Sequence, residues 1–248
     1  MAGHSHWAGI KHKKGRVDEK RSKIFSKLSK EITVAAKLGS KDPSMNPRLR
    51  SAIQTARAAN MPKDNIERAI KKSEINKSLN YNSLTYEGFG PEKIAIIIEA
   101  LTDNKNRTAS NIRTTFQKFG GNLGEPGVAS YQFSQVGVIR IDKTKISDNN
   151  ILELAINAGA EDCSSVGKHH EIISRKENFY KVKLEIEKHL KEFISTGIEW
   201  LPKNKISLNL EKTKSVLDFL ETLEDDDDIQ HVYANLEIDS KFKDKILT

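Results

Sequence analysis

The sequence predicts an α+β protein in which an N-terminal helical domain is followed by two ferredoxin-like domains of the form β-α-β-β-α-β, one inserted into the other. Three observations favour this fold class. Apolar residues recur at helical spacing over residues 18–75. From residue 93 onwards, short β-branched segments alternate with helical segments that end at glycine. The chain of 248 residues, of which 37% are hydrophobic, is long and apolar enough to form packed cores.

Three amphipathic helices make up the first predicted domain. The first covers residues 18–38 and has an apolar face opposite a stripe of lysines. Asn46 is a typical cap for a second helix that starts with Pro47, and Pro62 opens a third helix. The polar residues 76–84 are interpreted as a linker.

Strands and helices alternate after this linker. The outer elements are strands at 93–101, 122–123, 128–133 and 232–238 and helices at 107–119 and 213–223. Between them, residues 136–204 spell a complete β-α-β-β-α-β unit. We therefore expect three domains: a basic arm and helical domain at 1–77, a discontinuous ferredoxin-like domain at 78–135 plus 205–248, and an inserted ferredoxin-like domain at 136–204.

Positive charge is concentrated in the first third of the chain. Residues 1–77 hold 19 Lys and Arg against 7 Asp and Glu, a net charge of +12, whereas residues 78–248 hold 22 against 27, a net charge of −5. This asymmetry is typical of a polyanion-binding arm on an acidic body. A lysine-rich composition alone would scatter the positive charge and would not confine its excess to one region.

The arm and the helical domain are therefore the candidate nucleic-acid site. Trp7 either stacks on an unpaired base or packs against the helical domain, and both interpretations stay open. Because the helices carry no row of Asn, Gln and Arg that would read base edges, we expect recognition of backbone and shape. The candidate residues are Trp7, Lys11, His12, Lys13, Lys14, Arg16, Lys20, Arg21, Lys23, Lys27, Lys30, Arg48, Arg50 and Arg57.

A second, smaller phosphate site is predicted where a strand meets a helix, at Lys105, Asn106, Arg107 and Thr108. The free N–H groups of a helix N-terminus attract phosphate. A capping loop, with Asn106 or Thr108 satisfying those N–H groups, explains the same residues equally well. The acidic run from Asp225 to Asp228 lacks the spacing of an EF-hand and is interpreted as a solvated turn or a docking patch for the basic arm.

No set of residues indicates catalysis, a cofactor or a metal site. The single cysteine, Cys163, excludes an intrachain disulfide and a multi-cysteine zinc site, and no HExxH, GxSxG or Walker A motif occurs. The apolar run from Ile94 to Ile98 is far shorter than the ~20 residues of a membrane span. We expect a soluble, cytoplasmic, non-enzymatic protein with no membrane partner and no small-molecule substrate.

Several segments also form a recognisable signature: MAGHSHWAGIKHKKGRVDEKRSKIF, AAKLGSKDPSMNPRLRSAIQTARAANMPKDNIERAI, YEGFGP, TDNKNRT, FGGNLG, GAED, WLPKN and LEDDDDIQHVYAN. With these segments the chain resembles the YebC/PmpR family almost from end to end. The resemblance implies the three-domain architecture and a DNA-binding, probable transcriptional regulator in the cytoplasm. The family also includes a mitochondrial translational activator of a cytochrome oxidase subunit and bacterial relatives linked to relieving ribosomes stalled on proline-rich sequences.

The primary hypothesis is a nucleic-acid-binding regulator of gene expression, of the DNA-binding transcriptional type. A ribosome-associated translation factor that binds ribosomal RNA is the alternative, because lysines do not distinguish DNA from RNA and an arm with Trp7 suits structured RNA. A second alternative is a protein-interaction module whose ferredoxin-like surfaces bind a partner while the arm only steers association.

Overall fold

The structure, a computed structural model, describes residues 17–75 and 81–242. It confirms the predicted fold class, with three helices followed by two four-stranded sheets. The chain divides into two compact units. The first contains the described residues of Met1–Lys27, Lys77–Ser134 and Trp200–Thr248, and the second those of Leu28–Asn76 and Gln135–Glu199. The boundaries of the three expected domains stay a prediction.

The helices are α1 (Val17–Leu38), α2 (Pro47–Ala58), α3 (Lys63–Ile75), α4 (Lys105–Lys118), α5 (Asp148–Ala158), α6 (Phe179–Glu187) and α7 (Leu210–Glu224). The strands are β1 (Asn82–Phe89), β2 (Ala95–Thr102), β3 (Asn122–Leu123), β4 (Phe133–Asp142), β5 (Asp162–Val166), β6 (His169–Arg175), β7 (Ser195–Pro202), β8 (Ile206–Ser207), β9 (Ile229–Ala234) and β10 (Leu236–Glu237). Within the residues described, no helix is both long and apolar enough to cross a membrane.

The predicted start of α2 is confirmed. The Asn46 side chain accepts a hydrogen bond from the backbone N–H of Leu49 at 3.0 Å, and Pro47 is the first helical residue. The Asn46 amide also donates to the carbonyl oxygens of Ala35 at 2.8 Å and Ser40 at 2.6 Å. One buried side chain therefore both caps α2 and fixes its start against the end of α1.

The first sheet has the strand order β3-β1-β2-β9, with every neighbouring pair antiparallel. Helices α4 and α7 pack on it around Phe116 and Phe219, whose rings meet edge to face at 5.0 Å. This is the order of a ferredoxin-like sheet, but the position of its third strand is taken by β1, which precedes the first strand in sequence. The ferredoxin-like pairing is retained with a permuted chain order.

Two sequence-based assignments in this sheet are wrong. Residues 82–84, assigned to the linker, begin β1, and the strand predicted at 128–133 is instead a turn and a short 3-10 helix that lead into β4. The β-forming residues of that segment do not pair, because the Glu87 carboxylate accepts hydrogen bonds from the N–H groups of Ala129 at 3.0 Å and Ser130 at 2.8 Å. A long-range side-chain contact overrides the local propensity.

The second sheet has the strand order β5-β6-β4-β7 and, with α5 and α6, follows the predicted β-α-β-β-α-β sequence. Helix α5 ends at Gly159, whose φ of 83° lies in the left-handed region that favours glycine. The second helix of this unit, α6, ends at Glu187. A core that includes Ile139, Ile151 and Phe179 joins the helices to the sheet.

Candidate nucleic-acid interface

The predicted site residues fall into three groups. Lys20 lies on α1, and its side chain is not among those described. Four candidates have described side chains on α1 and three on α2: Arg21, Lys23, Lys27, Lys30, Arg48, Arg50 and Arg57. The arm candidates Trp7, Lys11, His12, Lys13, Lys14 and Arg16 lie outside the described residues.

The lysine stripe of α1 follows the helical period. Lys23, Lys27 and Lys30 are spaced at i, i+4 and i+7, which places them on one face of the helix. Two residues before Lys23, the guanidinium of Arg21 lies 5.3 Å from the centre of the Phe25 ring. This distance is typical of a cation–π contact, which orients the arginine along the helix surface.

Within the first unit, two lysines of the stripe contact the end of α7. The Lys23 ammonium lies 3.1 Å from a carboxylate oxygen of Asp225. One turn further along α1, the Lys27 ammonium donates to the carbonyl oxygen of Glu224 at 2.6 Å. The acidic run predicted to be a solvated turn or a docking patch therefore contacts lysines of α1.

Burial and neighbouring charge act on Lys27 in opposite directions. Burial lowers the pKa of Lys27 below its ordinary value, and the negative charges of Glu224 and of the three following aspartates partly offset that effect. The net effect is a pKa of Lys27 below its ordinary value. The acidic residues thus favour the charged form of an ammonium group that burial disfavours.

Within the second unit, the three candidate arginines of α2 differ in how firmly they are held. Arg48 makes two hydrogen bonds to the Glu31 carboxylate, at 2.7 Å and 3.0 Å. These hydrogen bonds raise the pKa of Arg48. Arg50 is half-buried and makes a 3.5 Å contact with the Ser44 carbonyl oxygen, whereas Arg57 is exposed. Of the three, Arg57 is best placed to meet an external phosphate.

Three exposed cations on one face of α3 are absent from the residues predicted from the sequence. Arg68, Lys71 and Lys72 are all exposed, and their spacing at i, i+3 and i+4 places them on one face of the helix. The same helical period that identifies the buried Ile66 and Ala69 would have identified them. They extend the basic character of the helical region beyond the predicted residues.

The second predicted phosphate site is built as a helix cap. Asn104, rather than Asn106 or Thr108, caps α4 by accepting a hydrogen bond from the Arg107 N–H at 3.1 Å. The Arg107 guanidinium contacts Asp228 at 2.7 Å, and the Thr108 hydroxyl donates to the same carboxylate at 2.9 Å. Lys105 and Asn106 are exposed.

The contacts at this helix start favour the capping interpretation. Arg107 also contacts the Asp103 carboxylate at 2.9 Å, so two carboxylates lie where an incoming phosphate would meet the guanidinium. Like charges at that distance repel. The phosphate site at residues 105–108 stays a prediction.

Two observations on the described side chains concern catalytic and metal-binding groups. Burial raises the pKa of the Cys163 thiol, which disfavours the nucleophilic thiolate. Over residues 17–75 and 81–242, no group of three or more His, Cys, Asp and Glu is arranged to hold a metal ion.

Two family models match the chain. The model described as the TACO1/YebC protein N-terminal domain matches residues 5–76, and that of the TACO1/YebC second and third domain matches residues 81–236. A probable transcriptional regulatory protein of Pelagibacter ubique is 62% identical over 236 residues, which cover 95% of this chain and 98% of that protein. The crystal structure of a conserved hypothetical protein from Aquifex aeolicus matches with a TM-score of 0.84 and 43% identity, covering 95% of this chain and 98% of that one.

Proposed function

Because the chain belongs to the TACO1/YebC family, we propose that it is a non-enzymatic regulator of gene expression that binds nucleic acid through its N-terminal basic region. The observation that carries this proposal is the separation of charge, with +12 over residues 1–77 and −5 over the rest. The exposed cations of α2 and α3 support it, since they lie on helices whose apolar residues are buried.

We take DNA as the ligand and control of transcription as the role. The name of the Pelagibacter relative, a probable transcriptional regulatory protein, supports this choice. Binding rests on phosphate contacts, which release counterions from the nucleic acid. About six such contacts would give a log–log salt dependence with a slope of roughly −5.

A translation factor that binds ribosomal RNA is the second candidate, and the hydrogen bonds of the side-chain amides on the helices are compatible with it. Gln54 of α2 accepts a hydrogen bond from Lys183 at 2.9 Å and donates one to Glu187 at 3.1 Å. The Asn65 amide of α3 accepts from Arg68. Amides held by the chain itself do not read adenine edges. Recognition by shape and phosphate therefore suits structured RNA as well as DNA.

Charge reversal on the exposed cations tests this function. The triple variant Arg57→Glu, Lys71→Glu and Lys72→Glu changes exposed side chains, so we expect the fold to survive. The matched control, Arg113→Glu, Lys118→Glu and Lys214→Glu, makes the same change of net charge on exposed residues of α4 and α7. Circular dichroism should show unchanged helix content in both proteins.

Binding to duplex DNA and co-sedimentation with ribosomes, both at moderate salt, then separate the hypotheses. We expect the first variant to lose binding and the control to keep it. If the wild-type protein binds promoter DNA in the presence of competitor DNA and the first variant does not, transcription is favoured. If the wild-type protein co-sediments with ribosomes and the first variant does not, translation is favoured. Binding that is equally strong in wild type and both variants would reject the basic surface and favour the protein-interaction module.

A further inference from the structure

The C-terminal end of α7 accumulates negative charge in an unfavourable place. The helix dipole is negative at this end, and the acidic end, defined here as residues 224–227, adds four carboxylates to it. Cations are the groups that normally stabilise a helix C-terminus. Here α1 supplies them, through Lys23 at Asp225 and Lys27 at the Glu224 carbonyl.

The acidic end is held in a defined position. Asp228, which follows it, is buried, and its carboxylate accepts hydrogen bonds from Thr102 at 3.1 Å, Thr108 at 2.9 Å and Arg107 at 2.7 Å. Asp226 accepts a hydrogen bond from the Asp228 N–H at 2.9 Å, which closes the turn. The backbone of the acidic end is therefore held on both sides, by α7 before it and by the anchored Asp228 after it.

The ion pair between Lys23 and Asp225 is close but energetically weak. The side chains of Lys23 and Asp225 are 33% and 52% exposed, so water and salt screen their attraction. Exposed ion pairs of this kind change an equilibrium constant only by a few-fold. A phosphate backbone offers the same lysines a row of anionic oxygens and adds the release of counterions, so it can displace the acidic end.

We propose that the acidic end of α7 is a built-in competitor that occupies Lys23 and Lys27 until the phosphate backbone of a nucleic acid displaces it. This inference rests on the proposed function. Its consequence is selectivity, because a ligand with few phosphate contacts does not offset the cost of separating α1 from the acidic end. A ligand that makes more phosphate contacts does.

Neutralising the acidic end tests the competitor. The variant Asp225→Asn and Asp227→Asn removes two exposed carboxylates and leaves the turn-forming Asp226 and the buried Asp228 intact. The control, Glu125→Gln and Glu211→Gln, removes two exposed carboxylates elsewhere in the same unit, one of them at the opposite end of α7. Both variants change the net charge by the same amount.

Fluorescence anisotropy with a short labelled DNA duplex, and with an RNA duplex of the same sequence, measures the affinity. We expect the acidic-end variant to bind about threefold to tenfold more tightly than the control variant. The slope of log affinity against log salt should be the same in the two variants, because Lys23 and Lys27 meet phosphates in both complexes. Equal affinity in the two variants would overturn the inference.

Hydrogen exchange of the wild-type protein gives an independent readout. When saturating DNA duplex displaces α1, amide exchange over residues 224–228 should become faster, whereas an uncoupled basic surface would leave it unchanged and so overturn the inference. A third variant, Lys23→Gln and Lys27→Gln, distinguishes failure of the competitor from failure of the proposed nucleic-acid binding. If it weakens binding while the acidic-end variant matches its control, the competitor is rejected and the proposed function stands. If no variant and no wild-type protein binds either duplex, both are rejected.

Discussion

Each of the two four-stranded sheets is associated with one arginine held between two carboxylates, and the two groups differ sharply in burial. Arg140 on β4 contacts Glu171 on β6 at 2.8 Å and Glu199 on β7 at 2.5 Å, with 3% of its side chain exposed. Arg107 on α4 contacts the Asp103 and Asp228 carboxylates with 49% of its side chain exposed. Loss of the arginine should therefore cost much of the free energy of unfolding where water is excluded, and little where water screens the charges. Under the proposed function, we expect an external polyanion to bind the cations that the chain itself holds least.

The largest effect is expected at the buried group. Replacing Arg140 with Met leaves the buried carboxylate of Glu171 and the partly buried carboxylate of Glu199 without their cation, which should lower the free energy of unfolding by about 3–5 kcal/mol. Urea denaturation followed by circular dichroism measures this loss. The variant that also replaces Glu171 and Glu199 with Leu should recover most of the stability, because no buried charge is left uncompensated. If Arg140→Met lowers the free energy of unfolding no more than substitution of an exposed arginine does, burial does not distinguish the two groups.

A carboxylate that is satisfied by backbone N–H groups gives an intermediate case with a definite pH dependence. Burial alone would raise the pKa of Glu87, but hydrogen bonds from the backbone at Ala129, Gly127 and Ser130 outweigh it, and the pKa is lowered. A lowered pKa means that the stabilisation is complete above the ordinary carboxyl pKa and is lost as the pH falls through the folded-state value.

Glu87→Gln should therefore lower the free energy of unfolding by about 1–3 kcal/mol near neutral pH. The difference between the wild-type protein and the variant should shrink on acidification, because both then carry a neutral group. Thermal unfolding from neutral to acidic pH measures this dependence. A difference that stays constant with pH would show that the lost contact, and not the charge, determines the stability.

The exposed arginine group should matter much less. Arg107→Met removes the guanidinium from Asp228, but the hydroxyl groups of Thr102 and Thr108 still donate to that carboxylate. We expect a far smaller loss of unfolding free energy than in Arg140→Met, measured in the same urea titration. Losses of similar size in the two variants would mean that burial does not distinguish the two groups.

For an exposed cation, a substitution should weaken DNA binding without changing the stability of the fold. Arg57→Gln changes an exposed residue of α2, so the free energy of unfolding should stay within about 0.5 kcal/mol of the wild-type value. The loss of one phosphate contact should nevertheless weaken duplex binding by about twofold to fivefold. Parallel denaturation and anisotropy titrations check both values. Reduced stability with unchanged binding would mean that Arg57 stabilises the fold and does not contact DNA.

The two sheets also show what the sequence can reveal about the fold. The second was predictable because its helix and strand periods are clear and Gly159 ends α5 with a positive φ. Strand β1 was missed because its apolar residues are few and Gly88 weakens the local strand pattern. A Cβ at Gly88 would lie 2.5 Å from the Asn122 carbonyl oxygen and 2.7 Å from the Phe116 ring. The reason for glycine there is tertiary packing, which one sequence does not display.

The candidate site was predictable in its charges but not in its pairings. Helical spacing identifies the lysine stripe of α1 and would have identified the exposed cations of α3. The partner of Lys23, Asp225, lies 202 residues away in sequence, and the partner of Arg48, Glu31, lies 17 residues away on another helix. Only the folded chain reveals which cations are already engaged.

The salt dependence of binding tests the central claim, that the basic N-terminal region binds phosphates, most directly. Affinity for a DNA duplex is measured over a range of salt concentrations for the wild-type protein and for the Arg57→Glu, Lys71→Glu, Lys72→Glu variant. We predict a wild-type log–log slope of roughly −5, which the variant makes shallower by about 2 to 3 as phosphate contacts are lost. Equal slopes for the two proteins would contradict the account.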